Sequence, residues 1–158
     1  MNILNSAQDY VYFVTPYLII TDEMNRAFAL AARRGIDVRI VTPGIPDKKA
    51  IYRITRSYYG RLVDNGIRIF EYTPGFCHAK QCVSDDKTAI CGTINLDYRS
   101  LYHHFENGVL VHDETFTTGG GDAAHGVFFE VAGFFDRDEH NRSYRHDRSG
   151  RAARNRGK

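Results

Sequence analysis

Three cysteines, Cys77, Cys82 and Cys91, are all the chain contains, and none stands in C-x-x-C spacing. An odd, unspaced set supplies neither a disulfide framework nor a zinc knuckle, and it suits reduced cytosolic thiols. No run approaches 18 consecutive apolar residues, so these residues encode no transmembrane helix. The opening MNILNSAQDY lacks a basic stretch followed by an apolar core, and no signal peptide is expected from it. No internal repeat is visible. An excess of one charge is missing as well: residues 1–115 hold 13 Lys+Arg and 13 Asp+Glu. The surplus of +2 lies in residues 116–158, with 8 and 6. A nucleic-acid binder working by bulk charge is therefore not expected in the folded part.

The last absence divides the chain. Residues 1–115 contain 12 Ile and 7 Leu, whereas residues 116–158 contain none of either. The 158 residues suffice for one ordinary domain. We place that domain at 1–115 and a divergent basic tail at 116–158. The tail opens on Gly119-Gly120-Gly121, and its Val127–Phe135 segment is apolar enough for a short helix or strand. From Arg142 to Lys158 it carries 7 positive and 1 negative side chain, a composition that predicts disorder. Such a run can touch anionic lipid or nucleic acid, or simply remain solvated.

What is present alternates strands with helices. Tyr10–Thr15 (YVYFVT) is β-branched and aromatic and is stopped by Pro16. Thr21 or Asp22 caps a helix from Glu23, with Met24, Ala27, Phe28, Ala31 and Ala32 at helical spacing and Gly35 as its end. Asp37–Thr42 is a second strand, Lys48 to Asn65 a second long helix, and Ile67–Tyr72 a third strand. Thr73-Pro74-Gly75 is a turn. Ala79–Ser84 and Thr88–Gly92 form a hairpin over Asp85-Asp86-Lys87, and Gly108–His112 is a last strand. The fold class is α/β, a sheet of mixed direction flanked by helices.

One segment carries chemistry. His78, Lys80, Asp85, Gly92, Thr93 and Asn95 spell H-x-K-x4-D-x6-G-[ST]-x-N. At average residue usage this coincidence arises by chance on the order of 1 in 10^5 or less. On a strand, His78 and Lys80 project from one face. An imidazole beside an ammonium suits attack on a phosphate or protonation of its leaving group. Thr93 and Asn95 offer a hydroxyl and an amide to the same oxygens. Glu106 could hold the far imidazole nitrogen and fix its tautomer, or be an ordinary surface carboxylate. Asp85 falls at the strand end, where tying down the hairpin is favoured over chemistry. His103 and His104 stand just before Glu106, but no third ligand is spaced for zinc, so they are expected to be surface or loop histidines; neither metal nor cofactor is expected.

This segment resembles the HKD motif of the phospholipase D superfamily. The likeness extends to Thr15-Pro16-Tyr17-Leu18, Ala31–Ile40, Pro43–Lys48, Thr55–Tyr59, Tyr72–Phe76, Gly92–Ser100 and Phe105–Gly108, which look like the second catalytic half of bacterial cardiolipin synthases. It covers about residues 2–113. The resemblance implies the phospholipase D sandwich, in which two HKD halves meet about a pseudo-twofold axis. One His forms a phosphohistidine, the other protonates the leaving alkoxide, and no metal takes part. It implies His78, Lys80 and Asp85 as the catalytic triplet, with His78 as general acid. It also implies Lys80, Thr93 and Asn95 as phosphate binders, and Glu106 as the residue orienting a motif His.

The expected activity is that of a cardiolipin-synthase-like phosphatidyltransferase acting on a phosphatidylglycerol-like phospholipid at the cytoplasmic side of the membrane. With one motif, the chain is expected to need a second HKD half or a homodimer. Peripheral membrane contact is open, and nucleic acid is the less favoured partner. The alternatives are a homodimeric, metal-independent phosphodiesterase or nuclease of the superfamily, and an inactive truncated fragment. Residues 116–158 do not resemble the family's closing helix. Their lack of Ile and Leu would suit translation of a GC-rich gene out of frame.

Overall fold

The computed structural model describes residues 1–112 and, beyond them, the strands Arg142–His146 and Ala152–Arg154. Val127–Phe135 and most of the tail lie outside the described residues.

Five strands read from the sequence assemble into the sheet around β1 (Tyr10–Val14). On one side β1 pairs in parallel with β3 (Asp37–Pro43), which pairs in parallel with β4 (Arg68–Tyr72). On the other it pairs antiparallel with β5 (Gln81–Ser84), then β6 (Thr88–Gly92) and β8 (Gly108–His112). The parallel half follows from helical crossovers and the antiparallel half from a hairpin, so the sheet is mixed. A separate two-stranded parallel pair joins β2 (Leu18–Ile19) to β7 (Leu96–Asp97), which the sequence did not suggest.

Strand periodicity sorts the apolar residues onto two faces. Val11, Phe13, Val38, Ile40, Ile69 and Cys82 meet the helices on one face. Val14, Val41, Phe70, Val83 and Ala89 form a cluster on the other. Helix α2 (Asp22–Arg33) buries Met24, Ala27, Phe28 and Ala31 on the first face. It begins as expected, with Thr21 Oγ1 accepting from the Met24 amide at 3.2 Å and Asp22 and Glu23 in the positive first turn. Gly35 takes φ +90° and lets the chain leave the helix. Phe28 is fully buried, edge-on to Phe13 at 5.2 Å.

Three local differences have physical causes. Helix α1 (Asn2–Ser6) is too short to be marked by periodicity. Buried Ile3 and Leu4 hold it, as does the Arg34 guanidinium, which donates to the carbonyls of Leu4 and Ala7. The helix expected from Lys48 to Asn65 is two, α3 (Lys49–Ser57) and α4 (Tyr59–Asp64). They serve different partners: α3 packs on β2, where Thr55 Oγ1 accepts from the Leu18 amide, while α4 packs on β4 and α2. Fully buried Tyr59 in α4 bonds Thr42 Oγ1 at 2.6 Å. Within the tail expected to be disordered, β9 (Arg142–His146) pairs antiparallel with β4, and β10 (Ala152–Arg154) with β9. The open row of amides and carbonyls along the edge of β4 is the template for that pairing.

Candidate active site

Topology gathers the motif at one end of the sheet. Strands β1, β3 and β4 run toward that end, and β5, antiparallel to β1, starts there, with Gln81 opposite Val14. Strand β6 finishes there and β8 begins there, with Gly92 opposite Gly108. The segments following β1, β3, β4 and β6, and the one preceding β8, therefore converge. They carry Thr15–Tyr17, Asp47, Phe76–Lys80, Thr93–Asn95 and Glu106. Ligand sites in sheets with parallel strands characteristically lie beyond the strands' carboxyl ends.

His78 and Lys80 do not lie on the strand itself, contrary to the expected span Ala79–Ser84. They occupy the stretch leading into β5, which starts at Gln81. The Lys80 carbonyl is nevertheless tied to β6, accepting from the Gly92 amide at 3.2 Å. The Lys80 ammonium donates to the His78 carbonyl at 2.6 Å and lies 3.0 Å and 3.2 Å from Nδ1 and Nε2 of His78. Being nearly equidistant, it is aimed at no single lone pair. Partial burial holds the Lys80 pKa below its usual value, opposed by Cys77, Glu106 and Asp47 nearby. The exposed imidazole stacks on Phe76, with centroids 5.7 Å apart, and meets Tyr17 edge to face at 6.4 Å.

The second wall is the loop after β6. Gly92 is required there: a Cβ would stand 2.2 Å from the Asn107 carbonyl oxygen. That close approach lets the Thr93 amide bond Asn107 O at 2.8 Å and the Asn107 amide bond Thr93 Oγ1 at 2.9 Å. Thr93 donates its hydroxyl to Glu106 at 2.5 Å. Asn95 Nδ2 donates to Ser100 Oγ at 3.0 Å, while its buried Oδ1 has no partner among the described residues. The hydrogen bond from Thr93, then those from Ser100 and His104, hold the Glu106 carboxyl below its ordinary range despite some opposing desolvation. His104 Nδ1 stands 3.4 Å from Glu106. Glu106, expected to orient a motif His, is engaged by these three residues and so organises the Thr93–Asn95 loop.

Asp85 sits at the other end of β5 from His78. It and Asp86 take φ of 53° and 54°, a left-handed pair in the Asp85-Asp86-Lys87 loop, which the Lys87 amide closes on the Ser84 carbonyl at 3.0 Å. Its carboxylate accepts from the amides of Gln8, Asp9 and Tyr10 at 3.0, 2.9 and 2.9 Å, and from Ser84 Oγ at 3.1 Å. Partial burial would raise its pKa, but the amides of Tyr10, Asp9 and Gln8 outweigh it and hold the carboxyl below its ordinary value. Asp85 thus fastens the hairpin to β1. This is the hairpin role favoured from its place at the strand end; the catalytic place that the resemblance implied for it is not what the geometry gives, because β5 separates it from the imidazole.

Several residues outside the motif also build the site. Buried Thr15 donates to the Tyr17 carbonyl at 2.9 Å and accepts from the Leu96 amide at 3.1 Å, joining the two walls. Tyr17 donates to Asp47 at 2.6 Å. Asp97 caps the short helix α5 (Tyr98–Tyr102), its carboxylate accepting from the Ser100 amide at 2.7 Å. Thr15, Tyr17, Asp47 and Ser100 all lie in the stretches that carry the family resemblance, which is the one signal of them in the sequence. Among the described residues no three His, Cys, Asp or Glu side chains are grouped to hold a metal ion.

The architecture is that of the phospholipase D fold. Nuc, a phospholipase D family member from Salmonella typhimurium, superposes with a TM-score of 0.71 at 20% identity, over 92% of this chain and 88% of that one. Phosphatidylserine synthase from Haemophilus influenzae superposes with a TM-score of 0.63 at 17% identity, over 95% of this chain and 37% of that one. The model of the family described as "Cardiolipin synthase, PLD-like domain" matches residues 1–119, and the chain belongs to that family. An uncharacterized protein of Streptococcus mutans is 58% identical over 106 residues, 67% of this chain and 23% of that protein. The cardiolipin synthase of Halalkalibacterium halodurans is 37% identical over 118 residues, 74% of this chain and 24% of that protein. The chain thus spans about a quarter of the length of the curated relatives it matches. No helix among the described residues is long and apolar enough to cross a membrane.

Proposed function

We propose that this chain acts as one catalytic half of a phospholipase D-type phosphatidyltransferase that makes cardiolipin from phosphatidylglycerol. The observation that carries this reading is the convergence of His78, Lys80, Thr93 and Asn95 at one open sheet end, in a chain of the cardiolipin synthase family. Lys80 opposes the charge on the non-bridging phosphate oxygens, and it reaches them by leaving the His78 carbonyl. The second amide hydrogen of Asn95, and Thr93 once turned from Glu106, add neutral donors.

One imidazole cannot both attack phosphorus and protonate the leaving group. A second HKD half supplies the nucleophile. Its imidazole bonds to phosphorus as the P–O bond to glycerol breaks, and His78 gives a proton to the departing alkoxide. The hydroxyl of a second phosphatidylglycerol then loses its proton to His78 and attacks the phosphohistidine. The P–N bond breaks and cardiolipin forms.

The test is release of glycerol and formation of cardiolipin from phosphatidylglycerol vesicles. The monomeric chain is expected to be nearly inert, and self-association or addition of the other half to restore turnover. His78→Ala should reduce that turnover by about a thousandfold or more. Equal cardiolipin formation by the monomer, or by His78→Ala, would overturn the reading. A homodimeric phosphodiesterase is favoured by one observation: this chain and Nuc cover each other almost fully, at 92% and 88%. Cleavage of DNA in chelator, with phosphatidylglycerol untouched, would replace the first reading by this one. The even charge of residues 1–115 opposes it.

A further inference from the structure

We propose that Tyr17, tethered by Asp47, is a positioning residue that sets the orientation of the His78 imidazole. His78 is exposed and precedes β5, so the sheet's ladder does not fix its side chain. Among the described residues, its ring meets two aromatic rings and the Lys80 ammonium. Phe76 is itself 51% exposed and lies on the same loop, so it moves with His78 rather than holding it. Tyr17 comes from a different part of the fold. Its backbone is anchored through its carbonyl to buried Thr15, and the next residue begins β2. The phenol donates to Asp47 in the loop after β3, at 2.6 Å, and Asp47 also accepts from the Lys48 amide at 2.7 Å. The ring is pinned at both ends. Its edge-to-face contact with His78 (interplanar angle 78°) is the one aromatic contact that refers the imidazole to the rigid sheet among the described residues. A general acid needs that reference, because small misplacement of a reacting group costs rate steeply.

This inference rests on the phosphodiester-transfer reading for its kinetic arm and on geometry alone for its spectroscopic arm. The imidazole signals of the full chain are recorded by NMR, with His78 assigned by its loss in His78→Gln. Turnover of a p-nitrophenyl phosphodiester is measured in parallel on the associated protein. Tyr17→Leu is expected to shift and broaden the His78 signals and to lower kcat about ten- to a hundredfold, with KM within about twofold. Tyr17→Phe keeps the ring and should recover most of kcat. The double variant with Asp47→Ala should be no worse than Asp47→Ala alone, whose loss combines the same tether with removal of a charge near Lys80. Unmoved His78 signals in Tyr17→Leu would overturn the proposal. So would additive losses in the double variant, whose members keep the packed ring and the fold. If the His78 signals move while the unmutated protein turns over no phosphodiester, the functional reading fails and the positioning role stands.

Discussion

Asp85 is the motif residue that the structure ties to the hairpin rather than to the imidazole, and its replacement separates stability from chemistry. Its carboxylate accepts three backbone amides at 2.9–3.0 Å and the Ser84 hydroxyl at 3.1 Å. A hydrogen bond to a charged group contributes about 1.5–3 kcal/mol when well sheltered. These are partly exposed, so about 1 kcal/mol for each amide is the appropriate scale after solvent screening. Asp85→Ala forfeits about 2–3 kcal/mol that way, and a left-handed alanine adds about 1 kcal/mol. Asp85→Asn keeps one acceptor oxygen and tolerates the φ of 53°, so it should cost about 1–2 kcal/mol. Urea titration followed by circular dichroism reads these differences, and melting should fall by roughly 3–5 °C per kcal/mol. Below the transition, turnover by the associated Asp85→Asn protein should stay within about twofold of the unmutated chain, since the substitution leaves His78 and Lys80 in place. An Asp85→Asn protein as stable as the original but catalytically dead would refute the reasoning.

Two further outcomes follow from neighbouring geometry. Gly92→Ala puts a methyl 2.2 Å from the Asn107 carbonyl, so β6 and β8 must separate. The expected cost is about 2–4 kcal/mol, with loss of protection at the Thr93 and Asn107 amides in hydrogen exchange. Acid should weaken the fold through Asp85. Its folded pKa lies below the unfolded value of about 3.9, so its contribution is present above that pH and is lost as pH falls through the folded value. Denaturation midpoints between pH 5 and pH 2 should decline less in Asp85→Asn than in the original chain.

The motif spacing and the strand–helix alternation were legible because both are local. A β-branched run stopped by Thr15-Pro16, a cap at Thr21 and a glycine at 35 each act within a few residues. The hairpin over Asp85-Asp86 was legible for the same reason. The break at Tyr58, the short helix α1 and the pairing of β2 with β7 were not, since buried side chains and residues distant in sequence decide them.

The sequence alone determined which groups could do chemistry: an imidazole, an ammonium, a hydroxyl, an amide and two carboxylates at diagnostic offsets. Tertiary structure alone decided how they are deployed. Antiparallel pairing of β5 with β1 sends His78 to the open end of the sheet and Asp85 to the other. The approach of Gly92 to Asn107 turns Glu106 onto Thr93. Tyr17 reaches His78 because β1 ends beside the start of β5, a neighbourhood set by strand order rather than by distance along the chain.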